Sequence, residues 1–245
     1  MSHQAIDERS RSALVLLSGG QDSTTCLYWA LSRFERVEAV TFDYGQRHIV
    51  EVSQAKRIAH RAEVAWSAVS LSGLLMDSAL LGQGSGFHQP YHRDPGLPSS
   101  FVPGRNTLFF SVASIMAYTK EIGSLIGGMS AVDGPNYPDC RKATIRALEA
   151  ALSLSLNRHL RIFTPLIALS KAEIWRLSAE LGIVDVIIED THTGYDGDRR
   201  VMNAWGRGNE ADPANALRAE GFREACVHGW LDGHSAPPAN EGVSS

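Results

Sequence analysis

Ala13-Leu14-Val15-Leu16-Leu17-Ser18-Gly19-Gly20-Gln21-Asp22-Ser23-Thr24 is the stretch that decides the fold. The apolar run at its start reads as a short buried strand. Beyond it, Cys26, Leu27, Ala30 and Leu31 recur at the spacing of one helix face. A strand, a tight glycine turn and a helix start together make an anion cradle. Glycine lets the backbone approach a ligand, and the free N–H groups of the first helical turn point at it. Ser18 and Ser23 add hydroxyl donors, and Asp22 is suited to a magnesium ion bridging phosphate oxygens. No lysine follows the glycines, so this is not the Gly-x-x-x-x-Gly-Lys-Ser/Thr loop.

Outward from the turn, residues 37–42 form a second strand candidate, ending at Asp43-Tyr44-Gly45-Gln46-Arg47-His48. The spacing of Val52, Ala55, Ile58, Ala59 and Ala62 predicts a helix over 49–62, and 64–69 reads as a third strand. This alternation implies an α/β fold, a parallel twisted sheet with right-handed crossovers and helices on both faces. Ligands in such sheets sit at the carboxyl ends of strands, where residues 18–23 and 43–48 both fall. Residues 71–100 are rich in glycine, proline and serine and read as a functional or partly mobile loop. A helix is expected over 105–117, a strand over 124–128, a loop over 129–138, a long helix over 139–156 and a last core strand over 162–166. Ser170 and Glu173 make a capping box for a helix that ends near Gly182. Residues 189–208 are polar and glycine-rich, a short helix is expected over 215–227, and the tail from Gly233 reads as disordered.

The 245 residues fit one large α/β domain with appendages, and the 44% hydrophobic content is that of a globular protein with a sizeable core. A net charge of −4 argues against gripping nucleic acid over a broad surface. Cys26, Cys140 and Cys226 are odd in number and widely spaced, which excludes a disulfide framework and any sequence-evident zinc site. Cys26 and Cys140 read as buried small side chains. The polar first dozen residues and the lack of a long apolar segment predict a cytoplasmic protein with no membrane contact.

Five segments, in order, carry a resemblance: residues 18–23, Thr41-Phe42-Asp43-Tyr44-Gly45-Gln46-Arg47-His48, Phe101-Val102-Pro103-Gly104-Arg105-Asn106, Tyr137-Pro138-Asp139-Cys140-Arg141, and Thr164-Pro165-Leu166. The first resembles the pyrophosphatase (PP) loop of enzymes that split ATP between the α and β phosphates and adenylate a substrate. Together they resemble the 7-cyano-7-deazaguanine (preQ0) synthase family, over residues 13–193. That resemblance implies an ATP-dependent ligase that adenylates 7-carboxy-7-deazaguanine, adds ammonia to give an amide, and uses a second ATP to reach the nitrile. It also implies a homodimer.

By the same resemblance, Leu17, Ser18, Gly19, Gly20, Gln21, Asp22, Ser23, Thr24, Phe42, Gly104 and Arg105 are expected at the nucleotide, with Asp22, Ser23, Arg105 and Lys171 catalytic. Arg105 and Lys171 are plausible cationic partners of phosphate or carboxylate, although a lysine in a helix's first turn is equally read as solvated. Tyr44, Gln46, Arg47, Phe101, Asp133, Tyr137 and Asp139 are candidates for the deazaguanine, whose amino and ring N–H donors suit a carboxylate. Tyr137-Pro138-Asp139 equally reads as a turn and helix cap with Asp139 at the N-cap, and the two readings are compatible. His48 is placed to shuttle protons or, as helix-start histidines more often are, is structural.

The chain departs from the family after residue 193. The resembled enzymes carry four zinc-binding cysteines, one after a Thr-x-Thr and three before a Leu-Arg-Ala-like stretch. Here the matching positions are Gly194, Asn209, Asp212 and Asn215. None is a thiolate and amide oxygens are poor zinc ligands, so no zinc is expected; His192 and Asp212 are weak, scattered metal candidates. Packing by Trp205 and Phe222, or a partner protein, would have to order the segment instead. The expected organisation is an ATP-binding and catalytic domain over 1–188, an altered segment over 189–232 and a disordered tail over 233–245. ATP and Mg2+ are the expected cofactors, and the reaction is adenylation of 7-carboxy-7-deazaguanine or a close analogue with transfer to an amine or ammonia. Mobility of residues 194–208 would impair or redirect nitrile formation. The full acid-to-nitrile synthase is one alternative. Others are a tRNA-modifying PP-loop enzyme, which lacks paired catalytic cysteines here, and a non-catalytic nucleotide-binding subunit.

Overall fold

Alternating positions along the first two strands fix the layers of this protein. In β1 (Ser12–Leu16), Ala13 and Val15 face one core and Leu14 the other. In β2 (Arg36–Asp43), Val37 and Ala39 join the first core and Val40 and Phe42 the second. A strand that buries both faces reads as a continuous apolar run, which is why residues 13–17 show no alternation in sequence. The computed structural model describes residues 11–45, 50–73, 90–91, 93–98, 100–130, 137–194 and 199–233.

Helix α1 (Gln21–Leu31) follows β1, and α2 (Val50–Arg61) leads from β2 to β3 (Ala65–Ser70). A small antiparallel hairpin, β4 (Pro90–Tyr91) and β5 (Asp94–Pro98), lies within the stretch expected to be loop. Next come α3 (Arg105–Thr119), β6 (Ser124–Ile126), α4 (Lys142–Ser155) and β7 (Arg161–Phe163). The chain then forms α5 (Lys171–Glu180) and α6 (Val184–Asp190), a second hairpin of β8 (Met202–Asn203) and β9 (Gly206–Arg207), and α7 (Pro213–Val227). Five strands pair in the order β3-β2-β1-β6-β7, all parallel. The chain steps outward from β1 to β3, then returns to the other side of β1, so the direction of winding reverses there. That reversal opens a crevice at the carboxyl end of β1, where the glycine turn lies.

Helices α1, α2 and α5 cover the first core through Leu27, Ile58 and Ile174; α3 and α4 cover the second through Phe110 and Leu152. A third core lies beyond α5, where Trp175 meets α6, α7 and Trp205. Phe222 of α7 sets its ring edge-on to Trp175 at 5.0 Å and 73°, and both rings are buried. Each such buried aromatic contributes roughly 2–3 kcal/mol.

Two expectations are corrected. The helix predicted over 139–156 is a 3-10 turn, Pro138–Cys140, followed by α4 from Lys142; the proline locks the chain into the turn first. Of residues 194–208, predicted mobile, 195–198 lie outside the described residues, and 199–208 fold as the β8–β9 hairpin against α6 and α7. Trp205, at the turn of that hairpin, is 4% exposed and belongs to the third core, as its bulk suggested. The predicted disordered tail lies outside the described residues, apart from Gly233.

Candidate active site

The glycine turn is shaped by its own side chains. Leu17 continues β1 and donates its N–H to Val40 O at 2.8 Å. Gly19 takes φ +88°, a conformation that an L residue resists. The Ser23 hydroxyl accepts from Ser18 N (3.1 Å), lies 3.0 Å from Ser18 Oγ and donates to Gly20 O at 3.2 Å. Thr24 Oγ1 also donates to Gly20 O at 2.8 Å. Ser18, Ser23 and Thr24 thus lace the turn to the start of α1, whose N-cap is Gly20 with no side-chain cap. Gln21 is 1% exposed, and neither amide atom of its side chain has a partner among the described residues. A buried primary amide without partners costs on the order of 1–3 kcal/mol.

Two glycines outside the turn let other elements approach it. A β-carbon on Gly128, just past β6, would lie 2.9 Å from Asp22 C and Ser23 N. One on Gly221 of α7 would lie 2.5 Å from Lys171 Cβ. Ser170 and Glu173 cap α5 reciprocally as predicted, which fixes Lys171 at its first position. Lys171 Nζ donates to both carboxylate oxygens of Asp22, at 2.7 and 2.6 Å, across the sheet's switch point. The solvated alternative for Lys171 is thereby corrected: its side chain is only 12% exposed.

Arg105 begins α3 behind Gly104, which takes φ +69° and has no capping side chain. The missing cap arrives from elsewhere. Asp139 Oδ2 accepts from Asn106 N at 2.9 Å, so Asp139 caps α3 rather than the helix that follows it. The physical reason is that α4 starts three residues later, with Arg141 at its N-cap. Tyr137 shares a 2.7 Å hydrogen bond with Ser100 Oγ and stacks on Phe101 at 6.0 Å and 21°; Tyr91 from the small hairpin meets Phe101 edge-on at 5.4 Å. Burial pushes the Tyr137 hydroxyl pKa up, with the bond to Ser100 and the charge of Arg105 opposing. The Phe42 ring stacks on Phe109 at 4.6 Å inside the second core, while its main chain pairs with β3 at Val69, and Tyr44 tilts onto Phe109 at 5.4 Å. Cys26 and Cys140 are buried as expected, and burial, with Asp139 next, pushes the Cys140 thiol up to about 12. Gln46, Arg47, His48 and Asp133 lie outside the described residues.

The profile described as "Queuosine biosynthesis protein QueC" matches residues 12–226. The chain belongs to the QueC family. It is 46% identical to a protein of Paracidovorax citrulli named 7-cyano-7-deazaguanine synthase, over 93% of this chain and all of that one. Proteins of the same name from Polaromonas sp. and Caulobacter vibrioides are 47% and 43% identical, over 86% and 87% of this chain and 94% and 93% of theirs.

The four positions that match the cysteines expected by resemblance to the QueC family do not fit a zinc ion. Gly194 offers no side chain. Asn209 Oδ1 accepts from Ala211 N at 3.0 Å, and Asp212 Oδ1 caps α7 by accepting from Ala214 N (2.9 Å) and Asn215 N (3.3 Å). The buried Asn215 amide lies against the Gly208 α-carbon, where an added β-carbon would be 2.4 Å from Nδ2. Sequence reasoning used Leu217-Arg218-Ala219 only as a landmark and so missed Arg218. It is fully buried and joins Ile187, Thr191, Thr193 and Trp205. Gly128, Gly221, Ser100 and Tyr91 were also missed. A glycine pair closing a strand, Gly127-Gly128, was the available sign of a close approach.

Proposed function

We propose that this chain uses ATP to adenylate 7-carboxy-7-deazaguanine and passes the acyl group to ammonia, releasing AMP and pyrophosphate. The observation that carries the reading is the glycine turn at the reversal of the sheet, with Lys171 delivered to Asp22 from the opposite side. An unactivated carboxylate would have to expel oxide, whereas an acyl adenylate expels AMP. Substrate oxygen attacks the α-phosphorus, and the bond to the β-phosphate oxygen breaks. Donors aimed at the growing charge on pyrophosphate lower that barrier. The free N–H groups at the start of α1 supply neutral donors, joined by the Ser18 and Ser23 hydroxyls when they exchange their bonds within the turn for phosphate oxygens, and Lys171 and Arg105 supply charge. Asp22 is the residue that would hold Mg2+, which neutralises phosphate charge when bound. With that carboxylate engaged, Lys171 can turn to phosphate oxygens.

Phe101, Tyr137 and Tyr91 form an aromatic wall near Arg105, fit for a flat heterocycle. A second reading, continuation from amide to nitrile with a second ATP, is favoured by one observation. Residues 199–208 of the stretch whose mobility would have let water in fold as a hairpin, and His192, just before that stretch, donates its N–H to Gly19 O at 3.0 Å. Incubation with ATP, Mg2+, 7-carboxy-7-deazaguanine and ammonium, followed by mass spectrometry, tests both. Amide or nitrile with AMP supports adenylation and separates the two end points; ADP, or unchanged acid, contradicts it.

A further inference from the structure

Arg218 is the least expected buried residue in the molecule. It is 0% exposed, and among the described residues no carboxylate pairs with it. Its guanidinium is held by neutral oxygens. Nε donates to Trp205 O (3.0 Å), Nη1 to Thr191 Oγ1 (2.8 Å) and Thr193 Oγ1 (2.9 Å), and Nη2 to Ile187 O (2.8 Å). The indoles of Trp175 and Trp205 lie 5.6 and 5.9 Å from its central carbon. Gly206 leaves the room, since a β-carbon there would be 2.5 Å from Nη2.

Stability alone does not call for this arginine. A cluster apolar throughout, with the arginine and its side-chain partners replaced together, would fill the space between two tryptophans without desolvating a charge, and such joint replacements are often neutral or stabilising. What the fork of donors supplies is register. Its Nη1 grips the two threonines on either side of His192, and the His192 peptide is what touches the glycine turn. The His192 N–H donates to Gly19 O at 3.0 Å, and its carbonyl oxygen lies 3.3 Å from where a Gly20 β-carbon would be.

We propose that Arg218 is a positioning residue for the nucleotide: by fixing Thr191 and Thr193 it braces the His192 peptide against Gly19 and Gly20 and so holds the phosphate-binding shape of the turn. This rests on the ATP reading above and takes it further, because it assigns the altered C-terminal segment a part in nucleotide binding with no metal involved. The charge works in the same direction. Burial pushes the Arg218 pKa down to about 9, with Asp22 opposing, so the group stays protonated at neutral pH and places a buried positive charge within electrostatic reach of Asp22. A positive charge in that position favours phosphate oxygens at the turn.

The test uses the full chain with Arg218→Met, Arg218→Lys and Thr193→Val. Each variant is assayed for thermal unfolding, for hydrogen exchange at the His192 amide, and for kcat and KM with ATP and with the acid. Arg218→Met is expected to stay folded, to exchange the His192 amide about tenfold faster, and to raise the KM for ATP about tenfold while leaving the KM for the acid unchanged. Thr193→Val removes one of the two threonine contacts and gives about a threefold rise in both exchange and KM for ATP. Arg218→Lys keeps the charge and recovers part of what Arg218→Met loses. A folded Arg218→Met with wild-type exchange and wild-type KM for ATP overturns the proposal. If Arg218→Met does not fold, the Thr193→Val variant decides on the same two readouts. Should the wild-type chain form no AMP at all, the ATP reading fails on that result; His192 exchange in Thr193→Val then judges the brace separately, and an unchanged rate overturns it.

Discussion

Residues 12–31 and the described residues of 184–231 meet at the candidate site, yet they are held in different ways. The first region is stabilised locally. Ser23 and Thr24 bond back to Ser18 and Gly20 within five residues and α1 closes its own turns, while β1 alone reaches out, pairing with β2 and β6. The second is held in register at a distance, by Arg218 reaching back 31 residues to Ile187 and by Trp175 of α5 donating to Arg218 O. Local structure is written in adjacent residue types, whereas long-range structure depends on which side chains the finished fold brings together. The two regions meet at the His192–Gly19 hydrogen bond and at Gly221 against Lys171.

The comparison breaks most visibly at the charge pair. Lys171→Ala and Asp22→Ala are each expected to cut pyrophosphate release about 10³-fold while far-UV circular dichroism is unchanged. A variant within tenfold of wild type would remove that residue from the chemistry. Next in size is Gly128→Ala. Its β-carbon would meet Asp22 C and Ser23 N at 2.9 Å, main-chain atoms that cannot rotate away, so the turn itself must shift. About a 10²-fold loss in kcat/KM for ATP is expected, with a small change in Tm. Wild-type kinetics in this variant would show that the turn tolerates displacement.

Away from the Arg218–His192 brace, effects in the second region should fall on stability instead. Asp212→Ala removes the cap of α7 and is expected to cost about 1 kcal/mol in denaturant unfolding, with kcat preserved. A complete loss of activity with metal release would point to Asp212 as a ligand. The smallest effect expected is none. Protein purified without chelator should lack stoichiometric zinc, and a zinc-selective chelator should leave AMP formation unchanged. Elemental analysis near one zinc per chain would overturn the reading of Gly194, Asn209, Asp212 and Asn215.

How much was legible in sequence follows the same division. The sheet, the turn after β1 and the Ser170–Glu173 capping box were readable because each is set by a period or a spacing of a few residues. Asp139 was readable as a cap, but not which helix it caps, since Asn106 lies 33 residues earlier in the chain. Residues 199–208 were misread because glycine and polar composition resembles that of a mobile loop. Here Gly206 and Gly208 adopt φ of +120° and +136° to make room for Arg218 and Asn215, a reason that exists only once α7 is in place. Arg218 itself was passed over because a lone arginine in sequence is normally a surface charge.

Adenylation of the acid is the central claim, and isotope transfer tests it most directly. With both carboxylate oxygens of 7-carboxy-7-deazaguanine labelled as 18O, attack on the α-phosphorus places one labelled oxygen in AMP when nitrogen displaces it. The account predicts AMP carrying a single 18O, and a second labelled AMP if the amide oxygen is activated in turn to give the nitrile. Unlabelled AMP, or 18O in inorganic phosphate alongside ADP, would contradict it.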